Sequence, residues 1–295
     1  MKKRGNILEK IKFSMIICAF NVQEYIEKAV DSILNQTYKN YEIIVVNDKS
    51  TDGTLEKLKK YNNKIKIVNN KVNLGLGSSR NIACTYAKGE YIIYLDADDT
   101  LYEEDTLERV NEVIEKEHPD IGYFGVKYIG GSNKTYLPTA ENSTKEARIL
   151  CDMHFAVSSK CWRREFLEKN NITFVEGMYY EDMVYDIKSA ILAEKTAYGE
   201  FHIYNYLRDR EGSILTEPNT KRCTDMYMML AHVMSLYDIT PDKYKPYLLT
   251  FIKQETLHLP KKINAILKAM KNGEHSPVFE KRNYKYNEND EEVHV

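Results

Sequence analysis

Residues 89–100, Gly-Glu-Tyr-Ile-Ile-Tyr-Leu-Asp-Ala-Asp-Asp-Thr, restrict the fold more than any other stretch of the chain. Tyr91–Leu95 is a short apolar run between turn residues, the pattern of a strand buried on both faces, and such a strand belongs to an α/β sheet covered by helices. The run ends abruptly in Asp96, Asp98 and Asp99. Open α/β sheets bind ligands beyond the carboxyl ends of their strands, where these acids would lie. Clustered carboxylates repel one another unless a cation or hydrogen-bond donors compensate them, and hard oxygen ligands suit Mg²⁺ or Mn²⁺ shared with a substrate phosphate. Asp and Thr are equally good helix N-caps, so a capping turn ahead of Leu101 explains the same residues. Both readings stand on this stretch alone.

The rest of the chain repeats the alternation. Phe13–Phe20 reads as a first, central strand, followed by Asn21 and Glu24 in a capping-box pattern and an amphipathic helix over Val22–Leu34. Tyr41–Val46 is a second strand running into Asn47-Asp-Lys-Ser-Thr-Asp-Gly53. A short helix over Thr54–Tyr61, a strand at Lys64–Val68 and a helix ending near Lys88-Gly89 precede the acidic strand. This β-α-β-α-β-α-β series predicts a parallel sheet with right-handed crossovers. Beyond it the pattern predicts a helix over Thr106–Glu117, a strand over Ile121–Tyr128, and an exposed loop over Leu137–Ser143. A short basic helix follows over Lys160–Asn170, then a helix from Glu181-Asp182 to about Ala193 and two strands, Thr196–Tyr198 and Phe201–Tyr206. Three helices follow, Thr224–Tyr237, Pro241–Leu257 and Lys261–Lys271, and a polar tail from Asn272 has the composition of a disordered segment. The expected division is a catalytic domain over 1–215, a helical region over 216–272 and the tail over 273–295.

Charge and cysteine content exclude several classes. Forty-two basic and 44 acidic residues give a formal charge of −2, which argues against a general nucleic-acid-binding surface. Five scattered cysteines without a C-x-x-C spacing suggest reduced thiols in a cytoplasmic protein rather than a disulfide frame or zinc site. A basic start at Lys2-Lys-Arg4 is followed by no apolar segment of signal-peptide type, and no run is long enough to span a bilayer.

Several residues have chemical and plain structural readings side by side. Asn73-Leu-Gly-Leu-Gly-Ser-Ser-Arg80 lacks the Gly-Lys-Ser/Thr of a phosphate loop, and Arg80 stands where a dinucleotide fingerprint has its third glycine. A glycine-rich helix start can still present N–H groups to an anion, and Arg80 can fork onto a diphosphate. Asp48 is either a turn residue or an acceptor for a nucleobase N–H. Glu181 and Asp182 suit a helix N-terminus on dipole grounds, and also suit a general base beside the aromatic pair Tyr179-Tyr180. Arg208 and Arg210 are either solvated loop charges or a clamp over phosphates.

Taken together these pieces resemble the family 2 glycosyltransferases. The resemblance runs from Ile16–Asn21 through Ser32–Thr37, Glu42–Thr54, Asn73-Leu-Gly75, Arg80-Asn81, Gly89–Ile92 and Leu95–Asp99. It continues through Trp162–Leu167, Phe174, Glu176-Gly177, Tyr180–Asp182, Tyr204-x-Tyr206 and Gly212–Ile214, covering roughly residues 13–215. It implies a GT-A fold, a mixed α/β sheet flanked by helices; the helical C-terminal extension, read from its own pattern beyond Asn219, has no match in the family. It also implies a nucleotide-sugar donor, most often UDP-linked, and inversion at the anomeric carbon. Asp48 would hold the base; Ala19, Phe20, Asn21 and Glu24 would line the nucleoside pocket; Asn73, Gly75 and Arg80 would meet the diphosphate or sugar. Asp96, Ala97 and Asp98 would form the Asp-x-Asp segment, with Asp96 near the ribose and Asp98 on Mn²⁺ or Mg²⁺. Asp182 would be the general base and Glu181 would orient the acceptor; Arg208 and Arg210 are counted with the nucleotide-sugar site on the clamp reading alone. Cys18-Ala19-Phe20 and Asn47-Asp48 depart from the family's usual Pro/Tyr and Asp-Asp, which leaves base selectivity open.

Without transmembrane segments or the Gln-x-x-Arg-Trp motif of processive synthases, the expected activity is single-sugar transfer to a cell-surface glycan or glycolipid hydroxyl. Two alternatives are transfer to modified phage DNA bases and a non-catalytic nucleotide-sugar-binding protein. The helices beyond Asn219 mix leucines and lysines, a pattern for packing on the catalytic domain, for a dimer, or for peripheral contact with the inner membrane face.

Overall fold

The computed structural model describes residues 10–130, 135–150, 157–208 and 219–275. The first half alternates β1 (Phe13–Ala19), α1 (Ile26–Leu34), β2 (Tyr41–Asn47), α2 (Thr54–Lys59), β3 (Lys66–Asn69), α3 (Leu76–Cys84) and β4 (Tyr91–Asp96). β1 pairs in parallel with β2 and β4, and β2 with β3. The centres of β1, β2 and β4 are apolar because they are covered on both faces: Met15, Ile17, Val45 and Ile93 face one core, and Ile16, Ile44, Val46 and Ile92 the other.

The second half adds β5 (Thr100–Leu101), α4 (Thr106–Glu117), β6 (Ile121–Ile129), β7 (Thr135–Tyr136), α5 (Lys145–Ile149), β8 (Lys160–Arg163), α6 (Arg164–Lys169), α7 (Glu181–Leu192) and β9 (Thr196–Leu207). The sheet has the order β3-β2-β1-β4-β8-β6-β9-β5, with β7 on β6. β8 is antiparallel to both β4 and β6, so the sheet is mixed rather than wholly parallel. The chain moves outward from β1 to β3, then returns across β1 to lay down β4. Strand order therefore reverses between β1 and β4, and the crevice at their carboxyl ends is the place where such sheets bind ligands.

Four local expectations are corrected. Lys160–Asn170 is not one helix: Lys160–Arg163 is a strand, because Trp162 and Cys161 are core residues and the Lys160 ammonium is neutralised at 2.8 Å by Asp186 of α7. Thr196–Leu207 is a single strand, since the Gly199-Glu200 interruption is absorbed as an irregularity in its pairing with β6. Asn21 and Glu24 form no capping box; Asn21 sits at φ 51°, and the amides of Val22 and Gln23 donate instead to Thr54, the first residue of α2, and Asp52 of the loop before it. Finally, Lys245–Asn272 is one helix, α9, with Pro260 inside it. A proline there costs about 3 kcal/mol. Burial of Leu259 and Ile266 on either side offsets it, at about 1.5–3 kcal/mol each.

α8 (Thr220–Met234) and α9 pack on α7: Val184, Ile187, Met229, Val233, Leu248 and Phe251 share one apolar cluster. The helix that starts at Glu181 is thus buttressed from behind.

Candidate active site

The loops after β1 and β2 are tied to each other. Asn21 accepts from the Thr51 amide at 2.8 Å, Ser50 Oγ accepts from the Asn21 amide at 3.1 Å, and Gly53 N–H donates to Gln23 at 2.7 Å. Ala19 is buried and its carbonyl accepts from Asp48 N–H at 2.8 Å, while Phe20 stands 47% exposed at the rim. Glu24 is exposed and makes no hydrogen bond among the described residues.

Asp48 is buried directly after β2. Its Oδ1 accepts from Asn70 Nδ2 at 2.8 Å and Leu74 N–H at 2.9 Å, and its Oδ2 from Gly75 N–H at 2.8 Å. A carboxylate has about four acceptor positions, so one remains for a ligand while three shape the loop that opens α3. Asn73 assists by accepting from the same Gly75 amide at 3.2 Å. Gly75 adopts φ 85°, ψ 168°, a region open essentially to glycine alone.

α3 carries Arg80 inward, and this side chain joins the two halves of the molecule. One guanidinium nitrogen donates to Asp96 Oδ1 at 2.8 Å and another to Glu181 Oε1 at 2.7 Å. Its plane lies over Phe174 at 5.2 Å and Tyr94 at 5.9 Å. Burial works against the cation, yet Asp96 and Glu181 outweigh it and hold Arg80 charged, above its ordinary range. The approach is close: a Cβ on Gly77 would meet Val175 O at 2.6 Å and Glu181 Cγ at 3.1 Å.

Asp96 lies at the end of β4, in register with Cys18 of β1. Its second oxygen accepts from Ser158 Oγ at 3.3 Å and Tyr204 OH at 3.1 Å. Tyr204 also hydrogen-bonds Asp99, which accepts Leu207 N–H at 2.6 Å. Asp99 caps no helix; β5 follows it, and the carboxyl is buried against β9. Burial, followed by the charges of Asp98 and Asp96, pushes Asp99 up to about 9. Asp96 and Asp99 thus accept from protein donors, Ala97 is buried, and Asp98 is partly exposed.

Glu181 and Asp182 open α7, after Tyr180 in the left-handed region at φ 65°. Glu181, expected to orient the acceptor, is instead 6% exposed and turned to Arg80. Burial, opposed by Arg80 and reinforced by Asp182, pushes it up to about 7. Asp182 is the more exposed of the two, in the first turn of the helix. Arg208 leaves β9 just past Leu207 and lies 4.7 Å over the Tyr128 ring; Arg210 lies outside the described residues. The fold therefore gathers two hydrogen-bonded groups around α3, Asp48 with Gly75 and Arg80 with Asp96 and Glu181, while Glu24 stays apart. Asn70 joins the first group, and Ser158 and Tyr204 the second; of these only Tyr204, two residues from Tyr206 on one strand face, carried a signal in the sequence.

Residues 14–176 match the glycosyl transferase family 2 model, more than half of the chain. The chain belongs to glycosyl transferase family 2. This transferase is 30% identical over 270 residues to the cholesterol galactosyltransferase of Borreliella burgdorferi, an alignment covering 83% of this chain and 75% of that one. It is 28% identical over 209 residues to the poly(ribitol-phosphate) beta-N-acetylglucosaminyltransferase TarS of Staphylococcus aureus, covering 68% of this chain but 36% of the relative. The crystal structure of TarS 1–349 with UDP-GlcNAc superposes with a TM-score of 0.64 at 19% identity, covering 94% of this chain and 97% of that one. The mannosyltransferase PcManGT of Pyrobaculum calidifontis, with GDP-Man and Mn²⁺, gives a TM-score of 0.61 at 18% identity, covering 90% and 76%. These likenesses establish the GT-A fold.

Proposed function

We propose that this enzyme transfers one sugar, with inversion, from a UDP-linked donor to a hydroxyl of a cell-surface glycan or glycolipid, using a divalent cation. The observation that carries the reading is the Arg80 bridge, 2.8 Å to Asp96 and 2.7 Å to Glu181. It couples the acid at the end of β4, on the nucleotide side, to the residue before Asp182, on the acceptor side. The catalytic unit is taken as residues 1–215, with the helices of 216–272 supporting α7 from behind. The cytoplasm, where donor would be available, is the expected location.

In this reading the rims after β1 and β2, including Ala19, Phe20 and Asn21, hold the nucleoside, and Asp48 offers its remaining acceptor position to the base. Asn73 and Gly75 shape the diphosphate side and Arg208 closes it; Arg80, buried and engaged by two carboxylates, holds Asp96 behind it. Asp182 takes the proton from the acceptor hydroxyl as its oxygen bonds to the anomeric carbon. The carbon–oxygen bond to the β-phosphate breaks and its electron pair leaves with UDP. One base on the face opposite the leaving group suffices for a single displacement.

Among the described residues no three His, Cys, Asp or Glu side chains converge on a metal site. The donor set fits a cation nonetheless, because Mg²⁺ and Mn²⁺ at phosphate sites are often held by one or two carboxylates plus the substrate's phosphates. Asp98, the second acid of the Asp-x-Asp segment and partly exposed, is the carboxylate that would hold the ion. When bound, the ion would stabilise charge on the departing diphosphate. Asp98→Ala should lower Mn²⁺-dependent release of UDP at least about 100-fold with the fold intact. Full turnover in that variant would remove Asp98 from the cation site.

A further inference from the structure

The outer face of α9 is accounted for neither by the core nor by the site. The inner face is occupied, with Leu248, Phe251, Leu259 and Ile266 buried in the clusters built with α5, α7 and α8. Between 245 and 272 the sequence has six lysines and one acid, Glu255. That acid is turned inward, 6% exposed, and Lys262 donates to its two oxygens at 3.0 and 2.7 Å. The outer face of the helix therefore has no carboxylate.

What it has are leucines and lysines. Leu249, Leu257 and Leu267 stand 49%, 61% and 45% exposed. Lys261, Lys268 and Lys271 are exposed and in no ion pair among the described residues. At about 100° and 1.5 Å per residue these six positions fall within an arc of about 120° and a length of about 33 Å. The chain as a whole carries −2, so this stripe is a local excess of positive charge. A self-complementary dimer through the face would set the same lysine-rich stripe against itself, where like charges oppose association. A surface with fixed negative charge and an apolar layer beneath it matches both residue types, since the leucines can enter the acyl boundary while lysine stems lie along it.

We infer that the outer face of α9 docks on an anionic lipid bilayer. The test is sedimentation of the full chain with phosphatidylcholine vesicles, with and without about one-third phosphatidylglycerol. Binding is expected on the anionic vesicles, at least about tenfold stronger than on the neutral ones, and weakening as salt is raised. Lys261→Gln with Lys268→Gln should weaken it about 25-fold, roughly fivefold per lysine, and Leu257→Ser about tenfold. Both variants should keep the parent's unfolding midpoint and its UDP release without vesicles. No binding to anionic vesicles, or binding unchanged in both variants, would overturn the inference. So would a dimer in vesicle-free solution that Leu257→Ser dissociates.

Discussion

Replacing Arg80 by methionine tests the bridge at the centre of the site. The two side chains most affected are nearly dry: Arg80 is 5% exposed and Glu181 8%, with 2.7 Å between them. Asp96, at 29%, keeps its donors Ser158 and Tyr204 and loses less. Removing one partner of a buried ion pair costs about 3–5 kcal/mol, because the other charge is left uncompensated. Arg80→Met should therefore destabilise the enzyme by about that amount at pH 8.5, read from urea unfolding followed by circular dichroism. Glu181→Gln removes the stranded charge while keeping the shape. Introduced into the Arg80→Met background it should recover about 1–3 kcal/mol, a non-additivity typical of contacting residues. The loss in Arg80→Met should also shrink as pH falls, because a buried carboxyl without its cation binds a proton instead of staying charged. If the two substitutions add to within about 0.5 kcal/mol, the bridge carries no coupling and the reasoning fails.

Two further outcomes follow from the same geometry. The folded state holds the Glu181 proton up to about pH 7, whereas the unfolded chain releases it near 4.3. Its contribution to stability is thus complete below about pH 4.3 and lost as pH rises towards 7, at no more than about 1.4 kcal/mol per pH unit. Glu181→Gln should flatten that fall in a series of urea midpoints, and parallel curves would contradict it. Gly75→Ala meets no atom within 4 Å, so its whole cost is the φ of 85°, about 1–3 kcal/mol. A midpoint equal to the parent's would show that the loop is not held there by Asp48.

The parts of the fold that were legible in the sequence are those whose local pattern and tertiary role agree. The centres of β1, β2 and β4 are apolar because both faces are covered, and their order along the chain implies the parallel half of the sheet. β8 was misread because Lys160 looks like a surface residue until Asp186, from a helix 26 positions away, neutralises it. Pro260 hid the continuity of α9 because tertiary burial, invisible to propensity, outweighs the proline. In the site, the acids were legible as residues but their partners were not. Asp99 looks like a cap in the sequence and is instead a buried acid against Tyr204, 105 residues on. The Arg80–Glu181 contact spans 101 residues and exists only once the sheet has closed.

Asp182 carries the proton transfer on which the proposed displacement depends. With purified Asp182→Asn, calorimetric titration of the UDP-sugar and a transfer assay on the same preparation separate binding from chemistry. Donor affinity within about threefold of the parent, with transfer reduced at least about 100-fold, is the predicted result, the usual span for loss of a general base. Transfer at the parent's rate would contradict the account, since the acceptor proton would then leave by a route that does not involve Asp182.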